Sequence, residues 1–113
     1  MMEPIQPTVI DTKAISAEHP EVYFNTILSR VNEHIVRIGI MTEPYFWHLH
    51  PNSDETFLVL EGALLIDLET GTIELQPGQL LTVPKNMRHR TRPGGERSVN
   101  LTIEHKQTET VMG

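Results

Sequence analysis

Apolar positions cluster in short segments of four to eight residues, separated by Gly, Pro, Asn or acidic pairs. From Tyr23 onward no run follows a helical period, and several alternate with polar residues at period two, as half-buried strands do. The pattern predicts strands at Tyr23–Arg30, Ile35–Met41, Tyr45–His50, Thr56–Leu60, Ala63–Leu68, Thr72–Leu75, Leu80–Val83, Met87–Thr91 and Val99–Glu104. Asn32-Glu33, Glu61-Gly62, Glu69-Thr70-Gly71 and Gln76-Pro77-Gly78 supply turns between them. Met1 to Pro20 is the least regular stretch and reads as an N-terminal arm, leaving residues 21–113 as a single domain. Short strands at regular spacing predict an all-β sandwich or barrel.

Composition narrows the chemistry. The 113 residues suit one domain. No apolar run approaches the roughly 20 residues that span a bilayer. The first residues lack the basic segment and apolar core of a secretory signal, so a cytoplasmic location is the expectation. A net charge of -6 argues against nucleic acid as a partner. There are no cysteines and six histidines, so any transition metal must be held by imidazole and carboxylate.

The informative segment is Trp47-His48-Leu49-His50-Pro51-Asn52-Ser53-Asp54-Glu55. Strand alternation puts His48 and His50 on one side, about 7 Å apart along the chain. Pro51 ends the strand, a short polar loop turns the chain, and Glu55 opens the next strand beside the pair. His89 lies in a later strand, after the turn Pro84-Lys85-Asn86. Three imidazoles and one carboxylate suit one divalent Fe, Mn, Ni, Cu or Zn ion. Four protein ligands leave two positions of an octahedral ion open for substrate, water or dioxygen.

These residues resemble the two cupin motifs. His48, His50, Glu55 and Gly62 match His-x-His, four residues, Glu, six residues, Gly; Gly78, Pro84, Asn86 and His89 follow the second motif. Thr42 stands where the first motif has Gly, Asn86 replaces the usual turn Gly, and Pro93 falls at the second motif's final Asn. Asn tolerates the left-handed backbone that such a turn requires. The likeness extends to small single-domain cupins labelled mannose-6-phosphate-isomerase-like, without carrying over an isomerase activity. It implies a double-stranded β-helix, or jelly-roll barrel, with His48, His50, Glu55 and His89 as metal ligands, a small-molecule substrate and a homodimer.

Alternation sorts the neighbours. With His48 and His50 inward, Phe46 is expected inward too, and Phe57 and Val59 follow Glu55 into the interior. Trp47, Leu49, Leu58 and Leu60 are expected to form an outer apolar face, covered by the arm or by a second copy. Arg88, Arg90 and Arg92 share the face opposite His89 and pair with acids. Arg37 and Thr91 are the polar candidates near the metal, and Arg37 needs a partner among its apolar neighbours. His19, His34 and His105 are expected at the surface. No second ionisable residue stands out as a general base. Two functions fit: a metalloenzyme of oxygenase, isomerase or lyase type, or a metal-dependent module that binds or senses a small ligand without turning it over.

Overall fold

The computed structural model describes residues 6–113. One short helix, α1 (Thr12–Glu18), precedes ten strands: β1 (Tyr23–Val31), β2 (His34–Met41), β3 (His48–Leu49), β4 (Glu55–Glu61), β5 (Leu64–Leu68), β6 (Gly71–Leu75), β7 (Leu80–Val83), β8 (His89–Pro93), β9 (Ser98–His105) and β10 (Val111–Met112). They form two five-stranded sheets, ordered β1-β2-β9-β4-β7 and β10-β3-β8-β5-β6. Every pairing is antiparallel. Consecutive strands repeatedly cross between sheets, giving the double-stranded β-helix that the cupin resemblance implies.

Along β4, burial follows the pleat: Glu55, Phe57 and Val59 are buried, while Thr56, Leu58 and Leu60 are half-buried on the other face. Val59 meets Met41, Leu64, Ile66, Leu75 and Val83 to fill one end of the space between the sheets. Burying each such side chain is worth about 1.5–3 kcal/mol. The other end stays open and polar.

Among the turns with a left-handed backbone, those at Gly62 and Asn86 fall at motif positions. Gly62 has φ +66°, and a Cβ there would lie 2.0 Å from the Arg97 carbonyl oxygen, so only glycine fits. Asn86 has φ +68° and serves where the motif has glycine. Pro93 still ends β8, aligned with Leu64, so the departure at that position leaves the strand in place.

The structure departs from the sequence reading at several points. The third strand is only His48–Leu49, not Tyr45–His50. Tyr45 N still donates to the Thr91 carbonyl, but the pleat does not run back from His48 through Phe46, which is 68% exposed instead of inward. Trp47 and Leu49 do not share a face with Leu58 and Leu60, because β3 and β4 belong to different sheets. The arm is not irregular throughout: Asp11 Oδ1 accepts hydrogen bonds from the N–H groups of Lys13 and Ala14 and starts α1.

A helix of seven residues is unstable alone; this one is tied to the outer face of the first sheet. Ile15 packs on Ile38, Ile40 and Val99, which are almost fully buried although they point away from the interior. Ser16 Oγ donates to Glu61 Oε2 at 2.8 Å. Arg97 donates to the carbonyls of Ser16 and His19 at the end of the helix.

Candidate metal centre

The open end of the barrel gathers four residues from three places in the chain. His48 lies in β3, His50 just beyond it, Glu55 opens β4 and His89 opens β8. His48 and His89 are direct cross-strand partners. Each of the four residues offers one ligand atom, all within 4.8 Å of one another, and all four residues are buried. Ring centroids stand 4.4 Å apart for His48 and His89, 5.0 Å for His48 and His50, and 5.6 Å for His50 and His89.

The orientation of each ring comes from the backbone. His48 Nδ1 lies 2.7 Å from the Phe46 carbonyl oxygen, His50 Nδ1 3.0 Å from that of Glu109, and His89 Nδ1 2.9 Å from that of Met87. A carbonyl can only accept, so each Nδ1 carries the hydrogen and donates it. In neutral imidazole that leaves Nε2 with a lone pair turned to the centre. Asn52 holds the tail that supplies the Glu109 carbonyl: its side chain donates to Gln107 O and accepts from Glu109 N.

Glu55 Oε1 sits 3.2 Å from His50 Nε2 and 3.4 Å from His89 Nε2. His50 Nε2 is nonetheless buried without an aligned partner among the described residues. Burial pushes the Glu55 carboxyl up, but His50 and His89, when they carry a proton at Nε2, outweigh it and hold it at about 2. Burial lowers His48, whereas Glu55 overcomes burial and raises His50. With all three imidazoles neutral, an anion and three lone pairs facing one point repel each other unless a proton or a metal ion lies between them. The donor set therefore fits a divalent ion, and the cluster can hold one.

The cluster opens on a cavity of about 240 Å³. Thr91 and Arg37 line it, as the sequence reading allows, but most of its polar lining was not anticipated. Asn25, Asn100, Thr102 and Glu104 come from the first sheet, with Tyr45 at the side. Arg37 finds its partner in Glu104, with Nε donating to Oε1 at 3.1 Å, while Nη1 donates to Asn25 Oδ1 at 3.2 Å. Burial, reinforced by Glu55, pushes Glu104 up. So an ionisable group beyond the four ligands does stand in the cavity. The signal was present: Asn100, Thr102 and Glu104 alternate with Val99, Leu101 and Ile103.

The remaining candidates lie apart from the centre. Arg90 and Arg92 point outward and both donate to Asp67, while Arg88 donates to the Gly113 carbonyl. Arg88 and Arg90 also lie over the Trp47 ring, at 4.7 and 5.4 Å from its centroid. His34 is exposed and faces His105 edge to face. His105 is half-buried rather than exposed, its Nδ1 accepting from Gln107 N. His19, also half-buried, stacks on Phe24 at 3.6 Å.

Known proteins agree with this architecture. The chain is 49% identical over 100 residues to the uncharacterized protein YdbB of Bacillus subtilis, covering 88% of each. It is 32% identical over 109 residues to the polyketide synthase CurC of Streptomyces cyaneus, covering 90% of this chain and 71% of that one. The fold matches the crystal structure of a cupin-2 domain containing protein from Shewanella frigidimarina with a TM-score of 0.80, at 24% identity and over 87% and 95% of the two chains. No helix among the described residues is long and apolar enough to cross a membrane. Residues 36–104 match the model of the cupin domain, and the chain belongs to the cupin family.

Proposed function

We propose that this chain is a metalloenzyme that uses one divalent transition ion, held by His48, His50, Glu55 and His89, to act on a small oxygenated molecule. The observation that carries this reading is the convergence of four acceptor atoms whose own hydrogen bonds leave them facing one another beside a polar cavity. A structural metal site is usually closed by its protein ligands; this one opens on space lined by Arg37, Thr102 and Glu104. An ion held there would supply Lewis-acid polarisation of substrate oxygens or, if redox-active, dioxygen chemistry. Glu104 adds a carboxylate able to exchange a proton with a bound molecule. The likeness to a polyketide synthase, whose name points to oxygen-rich carbon chains, supports a substrate rich in carbonyl or hydroxyl groups.

The test is elemental analysis of untagged protein purified without added metal. About one transition ion per chain is expected. Because imidazole must be neutral to bind, affinity falls as pH drops below about 6.5. Protein with no transition ion, or an affinity unchanged down to about pH 4.5, rules the centre out.

The reading includes a homodimer. Helix α1 covers only part of the outer face of the first sheet. Beyond it, Leu80 aligns with Leu58 and Leu58 with Leu101, and Leu80 and Ile103 are 63% and 41% exposed. Such a row suits a second copy of the chain. Leu80→Asp is expected to give monomer by sedimentation, and wild-type monomer at micromolar concentration removes the dimer.

A further inference from the structure

Resting on that metal centre, we propose that the ligand is a small monocarboxylate carrying two adjacent oxygens at its far end, its carboxylate held by Arg37 and Thr102. The inner face of the first sheet carries a polar row from the centre outward. Thr56 aligns with Ile103, which sets Glu55 beside Glu104 on the next strand, and Arg37 aligns with Thr102 one strand further on. Strands lie about 4.8 Å apart, and Thr102 aligns with Phe57, two residues along β4 from Glu55, so the backbones bearing Glu55 and Arg37 are separated by about 12 Å. A short chain spans that gap.

Arg37 keeps donors in reserve. A guanidinium has five N–H groups; Nε is spent on Glu104 and one hydrogen of Nη1 on Asn25. The Nη2 edge is uncommitted among the described residues, and the side chain lines the cavity. Thr102 adds an independent sign. It is 5% exposed, lines the same cavity, and its Oγ1 is buried with no hydrogen-bond partner among the described residues. Buried hydroxyls are rarely left so, and a ligand oxygen would satisfy this one.

Charge selects an anion. A divalent ion and Arg37 outweigh Glu55 and Glu104 whichever protonation state Glu104 adopts. Glu104 beside the guanidinium disfavours a dianion such as phosphate, so a single carboxylate is the better match. At about 240 Å³ the cavity lies below the roughly 300 Å³ at which sites for drug-sized ligands begin. Two adjacent oxygens at the far end complete a six-coordinate ion that has four protein ligands.

The probes are 5-hydroxy-4-oxopentanoate and its primary amide, titrated calorimetrically into nickel-loaded protein whose nickel content is measured on the same sample. The acid is expected to bind at least about tenfold more tightly than the amide, the range of one charge-assisted hydrogen bond. Thr102→Val, which keeps shape and removes the hydroxyl, is expected to weaken the acid about threefold. Arg37→Lys keeps the charge but loses the fork, and is expected to cut the preference for the acid below about threefold at unchanged nickel content. Equal wild-type affinity for acid and amide overturns the proposal, as does binding of neither by protein that holds its nickel; in both cases the metal centre stands. Protein that holds no nickel overturns the metal centre, and this proposal with it.

Discussion

Strand β8 serves two charged clusters on its opposite faces, and they are built on opposite terms. Outside, Asp67 receives Arg90, Arg92 and Thr72 on its two oxygens. Donors and acceptor match, and the Arg92 guanidinium foremost holds the Asp67 carboxyl well below the usual carboxylate range. Inside, one residue away, His89 joins His48, His50 and Glu55 with acceptor facing acceptor. A cluster whose own members satisfy one another needs nothing further and serves the fold. A cluster whose members repel until a cation arrives is shaped for something outside the chain. Buried charge alone does not tell them apart; the balance of donors and acceptors does.

Three substitutions press on that contrast. His89→Gln removes one of four metal-facing donors and is expected to weaken metal binding by more than about a hundredfold, beyond the loss typical of a supporting residue. Metal content after dialysis against a chelator checks it. Asp67→Asn is expected to leave metal content intact but to cost about 2 kcal/mol in urea unfolding at neutral pH, as two arginines lose a charged acceptor. Since folding depresses the Asp67 carboxyl, its contribution is present above its unfolded value near 4 and fades as pH falls toward the folded one. The gap between wild type and mutant should therefore shrink below about pH 4. Replacing Arg88 and Arg90 together by Gln is expected to change metal content not at all and stability by about 1 kcal/mol, because both are partly exposed and Arg92 still holds Asp67. If the arginine pair governs metal content and His89 does not, the two faces of β8 have been exchanged.

The strands and the grouping of His48, His50, Glu55 and His89 were legible because their signals are local: period-two alternation, a His-x-His pair and turn residues. What stayed hidden was non-local. Asn100, Thr102 and Glu104 alternate with apolar neighbours, and that pattern ordinarily marks a solvent face. Here it lines an internal cavity, and the apolar neighbours lie against α1 and the outside. Only the pairing of β9 between β2 and β4 distinguishes the two cases. Helix α1 was missed because two turns are too few to show a period. Phe46 was misplaced because alternation was extended back from His48 into residues that lie outside β3.

The three carbonyls that orient the imidazoles belong to Phe46, Met87 and Glu109, and any amino acid at those positions presents the same oxygen. The aim of the rings is thus insulated from mutation of the residues that set it. Phe46, Met87 and Glu109 can drift in side-chain identity while His48, His50 and His89 keep their bearing. The vulnerability lies instead in the path of the chain. Loss of the last few residues, from Glu109 onward, would free the His50 ring from its carbonyl and strip β10 from His48 and Leu49, loosening the cluster without altering any of its four residues.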